Sequence, residues 1–142
     1  MYHTIILVGN LTHDPEMRYT PNGQAVTNMN MAVDDSYTNN QGERIKRTIW
    51  VRVSVWGKQA ENCNEYLQKG KRILVEGRLR CDPETGNPRV FQRQDGTFGA
   101  SYEVSGRTVR FLSPRSEREG DFQEGGFATD SISSDADEEI PF

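Results

Sequence analysis

The sequence predicts an all-β fold in which a small five-stranded barrel carries one short helix between strands 3 and 4. Two observations predict the barrel: apolar and polar residues alternate in several short segments, and clusters of Gly, Pro and Asn separate those segments. A third observation, the loss of apolar residues after Leu112, predicts a disordered acidic C-terminal tail.

The first three predicted strands lie in the N-terminal half of the chain. Thr4–Leu11 is a dense apolar run, and turn residues at Asp14-Pro15 and at Thr20–Gly23 follow it. Thr48–Trp56 shows the most regular alternation of all. The second strand, Ala25–Asp34, places four residues on one face: Thr27, Met29, Met31 and Val33.

The helix and the last two strands follow. Apolar residues recur at helical spacing over Lys58–Lys69, and Gly70 stands where a C-terminal cap is expected. Arg72–Arg80 alternates again, with Ile73, Val75 and Leu79 on one side. Cys81–Phe98 is rich in turn residues and predicts a long loop with a protruding hairpin, before the final strand at Gly99–Leu112. This order fits a five-stranded OB-fold barrel.

The net charge of −4 conceals two regions of opposite charge. Residues 1–112 contain 15 Lys and Arg against 12 Asp and Glu, or +3, whereas residues 113–142 contain 2 against 9, or −7. We therefore predict three parts: a folded domain at 1–112, a disordered linker at 113–136, and an acidic tip at 137–142 that ends in Ile140-Pro141-Phe142.

Several functions are disfavoured by the sequence. The run Ile5–Val8 is too short to be a signal core or a membrane span, so we expect a cytoplasmic protein with reduced cysteines. Gly57-Lys58 lacks the rest of a phosphate-binding loop, and His3, His13, Cys63 and Cys81 lack metal-ligand spacing. We predict a protein that is not an enzyme and that needs no cofactor and no metal.

The strand Thr48–Trp56 is the main candidate for a binding surface. Its three valines share one face, which leaves Trp50, Arg52 and Trp56 on the other. A nucleic-acid base stacks on an aromatic ring with a gain of roughly 1–3 kcal/mol, and arginine pairs with phosphate. The competing interpretation is that one or both tryptophans fill a second apolar layer.

Two loops repeat the combination of aromatic and basic residues. Tyr37 precedes a loop that holds Arg44, Lys46 and Arg47, and Phe91 lies between Arg89 and Arg93. Basic groups interleaved with aromatic rings are typical of a nucleic-acid groove. Each loop alone is equally well explained as an ordinary solvated run of charge, so the prediction depends on their coincidence.

Longer motifs resemble one known family. Ile6–Leu11, Asp14–Gly23, Trp56-Gly57-Lys58 and Glu76–Leu79, together with the acidic tail that ends in Ile140-Pro141-Phe142, are similar to bacterial single-stranded DNA-binding proteins. The resemblance covers about Thr4 to Leu112 and the tip.

The resemblance implies a homotetramer that wraps single-stranded DNA without base specificity, with stacking at Tyr37, Trp50, Trp56 and Phe91. It implies phosphate contacts from Arg52, Lys58 and Arg72, with Arg44, Lys46 and Arg47 as further candidates. It also implies that the tip, Asp137, Glu138, Glu139, Ile140, Pro141 and Phe142, binds replication, recombination and repair proteins.

Three alternatives remain open at the level of the residues. One is an OB-fold adaptor that binds RNA or another protein, and a second is a nuclease or nucleic-acid-modifying enzyme. The third concerns the tail, since acidic C-termini are often merely solubilising. Two apolar residues at the end of the chain, Ile140 and Phe142, argue against solubility as their only role.

Overall fold

The computed structural model describes residues 1–113, which form ten strands and one helix. In chain order these are β1 (Ile5–Leu11), β2 (Glu16–Tyr19), β3 (Ala25–Asp34), β4 (Tyr37–Thr38), β5 (Arg44–Ile45), β6 (Thr48–Trp56), α1 (Lys58–Tyr66), β7 (Arg72–Leu79), β8 (Val90–Gln92), β9 (Phe98–Ala100) and β10 (Tyr102–Phe111). The predicted linker and tip, residues 113–136 and 137–142, lie outside the described residues except for Ser113 and stay predictions.

Five of the strands close into a barrel. The hydrogen-bonded order is β1, β7, β10, β6, β3, and β3 pairs with β1 again through Asn10 with Ala32 and Leu11 with Met31. All of these pairs are antiparallel except β10 with β6, where Val104 lies beside Val53 in parallel register. With α1 between the third and fourth barrel strands, this is the predicted OB fold, which is confirmed.

The inward face of each barrel strand supplies the core. Val51, Val53 and Val55 of β6 are buried, as the alternation of that strand predicts. They pack in one cluster with side chains from the other strands: Leu11, Met29, Met31, Ile73, Val75 and Val104. Burial of these apolar surfaces is the main stabilising contribution to the fold.

Helix α1 covers the barrel through Ala60 and Cys63, which are fully buried. The hydroxyl of Thr27 on β3 donates a hydrogen bond of 2.7 Å to the carbonyl oxygen of Ala60, so a buried polar group is satisfied where helix and barrel meet. The helix is one turn shorter than Lys58–Lys69. Leu67 turns to an extended conformation, which buries its side chain in the core while its N–H still bonds to Cys63.

Two glycines allow close contacts inside the barrel, Gly77 between β7 and β10 and Gly106 between β10 and a side chain of β6. Gly77 lies opposite Gly106, at the irregularity that shifts the register between Gly106 and Thr108. A Cβ atom on Gly77 would overlap the carbonyl group of Ser105, and one on Gly106 would overlap Val55. The missing side chains therefore permit the bend by which the sheet closes.

Short elements account for most differences from the sequence analysis. β2 pairs with β3 as an extra strand outside the barrel, and β4 pairs with β5 in a small hairpin. β8 and β9 form the hairpin predicted for the long loop. Its second strand includes Gly99 and Ala100, which were predicted to begin the final strand, and β10 begins only at Tyr102. Leu79 is exposed, although its alternation with Ile73 and Val75 predicted an inward side chain, because β7 ends there beyond the core.

Candidate nucleic-acid interface

Strand β6 turns an aromatic ring and a guanidinium group outward. Trp50 is 63% exposed, and Arg52 is exposed beside it on the same face. Ser54, which also alternates onto this face, is buried, and its hydroxyl donates a hydrogen bond of 2.6 Å to Oδ1 of Asn28 on β3. The outward face is thus open at Trp50 and Arg52 and closes toward the C-terminal end of the strand.

A groove of about 680 Å³ passes over this open part of β6. Trp50 and Arg52 line it from the barrel, and Arg89 and Phe91 line it from the β8–β9 hairpin. Four residues predicted from separate parts of the sequence therefore meet at one site. The sequence analysis missed the polar residues that complete the lining: Thr12, His13, Asn30, Ser101 and Glu103.

Strand register explains how two of the missed residues reach the groove. Asn30 on β3 and Glu103 on β10 are the direct neighbours of Arg52 on the two sides of β6. An amide, a guanidinium and a carboxylate thus stand in one row across three strands. Alternation along β3 and β10 indicates in the sequence that Asn30 and Glu103 face outward. The pairing of these strands with β6 was needed to show that both residues lie beside Arg52.

The β8–β9 hairpin holds its aromatic ring beside a cation. The guanidinium carbon of Arg93 lies 5.4 Å from the centroid of the Phe91 ring, and its Nη1 donates a hydrogen bond of 2.8 Å to the carbonyl oxygen of Phe98. At the tip, the N–H and the hydroxyl of Thr97 bond to Asp95, which lowers the pKa of that carboxyl group. Phe91 itself is 47% exposed.

The β4–β5 hairpin carries the second predicted loop. Tyr37 is 44% exposed, and the Arg47 guanidinium carbon lies 5.1 Å from the centroid of its ring. Arg47 also forms an ion pair with Asp35. Arg44 and Lys46 are exposed, and neither forms an ion pair within residues 1–113.

The remaining predicted residues do not line this groove. Trp56, at the far end of β6, is half-buried, and the Arg80 guanidinium carbon lies 5.9 Å from its ring centroid. Lys58 lies 3.7 Å from Glu61 on the exposed side of α1, and Nε of Arg72 donates a bond of 3.0 Å to Asn10. The sequence did not predict Arg80 as a site residue, because Arg80 follows the last alternating residue of β7 and has no aromatic neighbour in the sequence.

The thiols and acidic residues offer no metal centre in the part of the chain that the structure describes. No cluster of three or more His, Cys, Asp or Glu side chains occurs among residues 1–113. Cys63 is buried, and burial raises the pKa of its thiol to about 11, whereas Cys81 is exposed and is also a free thiol. Within the same range, no helix is long and apolar enough to cross a membrane.

An OB-fold barrel with exposed rings and guanidinium groups along one groove has the features of the class that binds unpaired nucleic-acid strands. The chain belongs to the single-strand binding protein family, whose family model matches residues 2–112. The resemblance given by the sequence motifs is thereby confirmed, and proteins of this family bind DNA and are not enzymes.

Individual relatives support the same family. The chain is 39% identical over 132 residues to the single-stranded DNA-binding protein of Halalkalibacterium halodurans, covering 93% of this chain and 71% of that protein. It is 41% identical over 127 residues to the protein of the same name from Bacillus cereus, covering 87% and 69%.

One solved structure is similar over most of the chain. The crystal structure of a deletion mutant of the single-stranded DNA binding protein from Thermus aquaticus matches with a TM-score of 0.61 and 32% sequence identity. The match covers 79% of this chain and 51% of the other, so this chain spans about half the length of that structure.

Proposed function

We propose that the protein binds single-stranded DNA without base specificity and protects it during replication, recombination and repair. The observation that carries the proposal is the groove in which Trp50, Arg52, Arg89 and Phe91 meet. Bases stack on the exposed rings, and guanidinium groups attract phosphates from either side. Every base has an aromatic face, so stacking of this kind tolerates any sequence.

The path that we propose for the single-stranded DNA extends beyond the groove to the other predicted residues. Tyr37 and Trp56 provide further rings, and the candidates for phosphate contacts outside the groove are Arg44, Lys46, Arg47, Lys58, Arg72 and Arg93, of which Arg47 is already paired with Asp35. Arg80 joins this set through its position over Trp56. The net charge of +3 in residues 1–112 favours the approach of a polyanion.

A fluorescence titration tests the proposal. Both tryptophans are predicted stacking residues, so oligo-dT should quench their emission and bind with an affinity that falls steeply with salt. A duplex of equal length should bind far more weakly, and an RNA oligomer of matched sequence should serve as competitor. Equal affinity for duplex and single strand would refute the proposal, and tighter binding of RNA would favour the RNA alternative.

We propose that the protein acts as a homotetramer. Ile6 and Val8 on the outer face of β1 are exposed in the single chain, and an assembly that covers them would remove apolar surface from water. Light scattering should give the mass of four chains of 16.2 kDa, with and without oligo-dT. A monomer mass at micromolar concentration would contradict this assignment.

We propose that the tip, Asp137–Phe142, recruits replication, recombination and repair proteins. Its three acids followed by Ile140-Pro141-Phe142 combine charge with two large apolar side chains. Deleting the final six residues should leave DNA binding intact and remove these partners from an affinity pull-down. Recovery of the same partners by the truncated chain would show that the tip is only solubilising.

A further inference from the structure

Asp35 occupies an unexpected position for an acid beside a DNA-binding loop. It lies two residues before the β4–β5 hairpin, where Tyr37 is a candidate stacking residue and Arg44, Lys46 and Arg47 are candidates for phosphate contacts. Its Oδ2 atom accepts a hydrogen bond of 2.8 Å from Nε of Arg47 and forms an ion pair with Nη2 of the same side chain. Two donors of one guanidinium group thus converge on a single carboxylate oxygen.

The main chain fixes the same two residues. The N–H of Asp35 donates a hydrogen bond of 2.8 Å to the carbonyl oxygen of Arg47, so the carboxylate and the guanidinium start from neighbouring points. The side chain of Asp34 folds back onto Ser36, accepting bonds of 3.0 and 2.6 Å from its N–H and hydroxyl. Asp34 therefore shapes the turn, whereas Asp35 contacts the cation.

The geometry also assigns Arg47 to the ring of Tyr37. The guanidinium held by Asp35 lies 5.1 Å from the ring centroid, within the range of a cation–π contact. One side of the ring is thus occupied by Arg47 in the free protein. Tyr37 is 44% exposed, so part of its ring remains accessible to a base.

We propose that Asp35 is a positioning residue that keeps Arg47 on Tyr37 as part of a stacking platform and withholds its charge from the DNA phosphates. This inference rests on the proposed binding of single-stranded DNA. A phosphate that approached Arg47 would meet the negative charge of Asp35, and the pair as a whole carries no net charge. Arg44 and Lys46, which have no ion pair within residues 1–113, provide the phosphate contacts of this hairpin.

Salt dependence separates this role from a phosphate contact. For a single strand, each phosphate neutralised by a cationic side chain adds about 0.7 to the slope of log K against log salt. Arg47→Ala should therefore leave the slope unchanged while weakening oligo-dT binding by about two- to fivefold at every salt concentration, the loss expected for an exposed cation–π contact. A direct phosphate contact would instead reduce the slope.

The decisive variant is Asp35→Asn, which preserves the size of the side chain and removes its charge. It should release Arg47 to the phosphates and steepen the slope by about 0.7 for each chain that contacts the oligomer, and adding Arg47→Ala should abolish that increase. Asp95→Asn is the matched control, since it removes the same charge from the tip of the other hairpin, where the carboxylate accepts bonds from Thr97 and forms no ion pair within residues 1–113, and it should leave the slope unaltered.

Three results would overturn the proposal. The first is that Arg47→Ala in the otherwise unaltered chain reduces the slope by about 0.7. The second is that Asp35→Asn fails to steepen the slope, and the third is that Asp95→Asn steepens it equally, which would reveal a general effect of loop charge. The unaltered protein serves as the separate test of function, because a lack of binding to oligo-dT there would refute the proposed function itself.

Discussion

Trp50 is placed where a ring can be available for binding while it contributes little to the fold. Its neighbours Val51 and Val53 are buried in the barrel, while its own ring is exposed on the opposite face of β6. A large apolar ring in water contributes little to folding, and this location leaves it available to a base.

Replacing Trp50 by alanine should therefore affect binding and spare stability. We expect Kd for oligo-dT to rise by about 5- to 150-fold, corresponding to the roughly 1–3 kcal/mol of one stacked base. The free energy of unfolding should change by less than about 0.5 kcal/mol, as is usual at the surface. Fluorescence anisotropy and urea unfolding measure the two effects.

Tyr66→Ala is the matched control for Trp50→Ala. Tyr66 is an exposed aromatic residue on α1 and lines no part of the groove. Its loss should leave Kd within about twofold, well below the change expected for a stacked base. Equal losses in the two variants would show that exposed rings contribute without regard to the groove.

The two cysteines provide a second test at this scale. Burial disfavours the thiolate of Cys63 and raises the pKa of this thiol from 9.0 to about 11. The contribution of the neutral thiol to the stability of the folded state is therefore complete below pH 9 and is lost as the pH rises toward 11. A disulfide reagent at pH 8 should modify Cys81 rapidly and Cys63 only after denaturant is added. The Cys81→Ser variant should show no rapid phase; rapid modification of that variant would mean that Cys63 is accessible.

At the scale of elements, the β8–β9 hairpin supplies one side of the groove from outside the barrel. It brings Phe91 and Arg89 opposite Trp50 and Arg52. Phe98 stands on the other strand of the same hairpin, paired with Gln92, and is exposed without lining the groove. Substituting each phenylalanine in turn therefore distinguishes what the groove contributes to DNA binding from what the hairpin as a whole contributes.

We expect Phe91→Ala to weaken oligo-dT binding by about 5- to 150-fold, because the hairpin then presents no ring to a base. Phe98→Ala should alter Kd by less than about twofold, since that ring faces away from the proposed path of the strand. Anisotropy titrations at a single salt concentration measure both. Equal effects of the two substitutions would indicate that the hairpin contributes only through its conformation.

The elements also show where sequence reasoning succeeds. Thr48–Trp56 was predicted with the observed bounds, because one buried and one exposed face impose a period of two over nine residues. β2 was not predicted, since its four residues are too few to establish a period between two turns. Ser54 is buried although alternation places it on the outward face, because its hydroxyl donates a hydrogen bond to Asn28 on the neighbouring strand. The sequence does not show this contact, since the two residues are 26 positions apart.

The site was predictable in its residue types and less so in its arrangement. Trp50, Arg52 and Phe91 were found because rings and cations coincide locally. The meeting of Arg80 with Trp56, and of Asp35 with Arg47, depends on strand pairing and side-chain reach. The local coincidence of rings and cations favours a polyanion as the ligand, but only the tertiary structure shows which cations are already paired.

At the scale of the whole molecule, charge is divided between a cationic domain and an acidic tail. The tail carries −7 over residues 113–142, and the domain carries +3. We expect the tail, as a polyanion attached to the protein, to compete with DNA for the same basic side chains. Such competition is screened over about 8 Å at physiological ionic strength and over about 30 Å at 0.01 M, so it should operate mainly at low salt.

Two sets of substitutions in the tip should separate its charge from its apolar residues. Neutralising Asp137, Glu138 and Glu139 as the amides should tighten oligo-dT binding at 0.01 M salt and have little effect above 0.15 M, because the Debye length shrinks between these values. Replacing Ile140 and Phe142 by alanine keeps the acids, so DNA binding should be unchanged while partner recruitment is lost. Anisotropy at both salt concentrations and a pull-down measure these effects. Tightening by the alanine variant, or none by the amide variant at low salt, would contradict competition through charge.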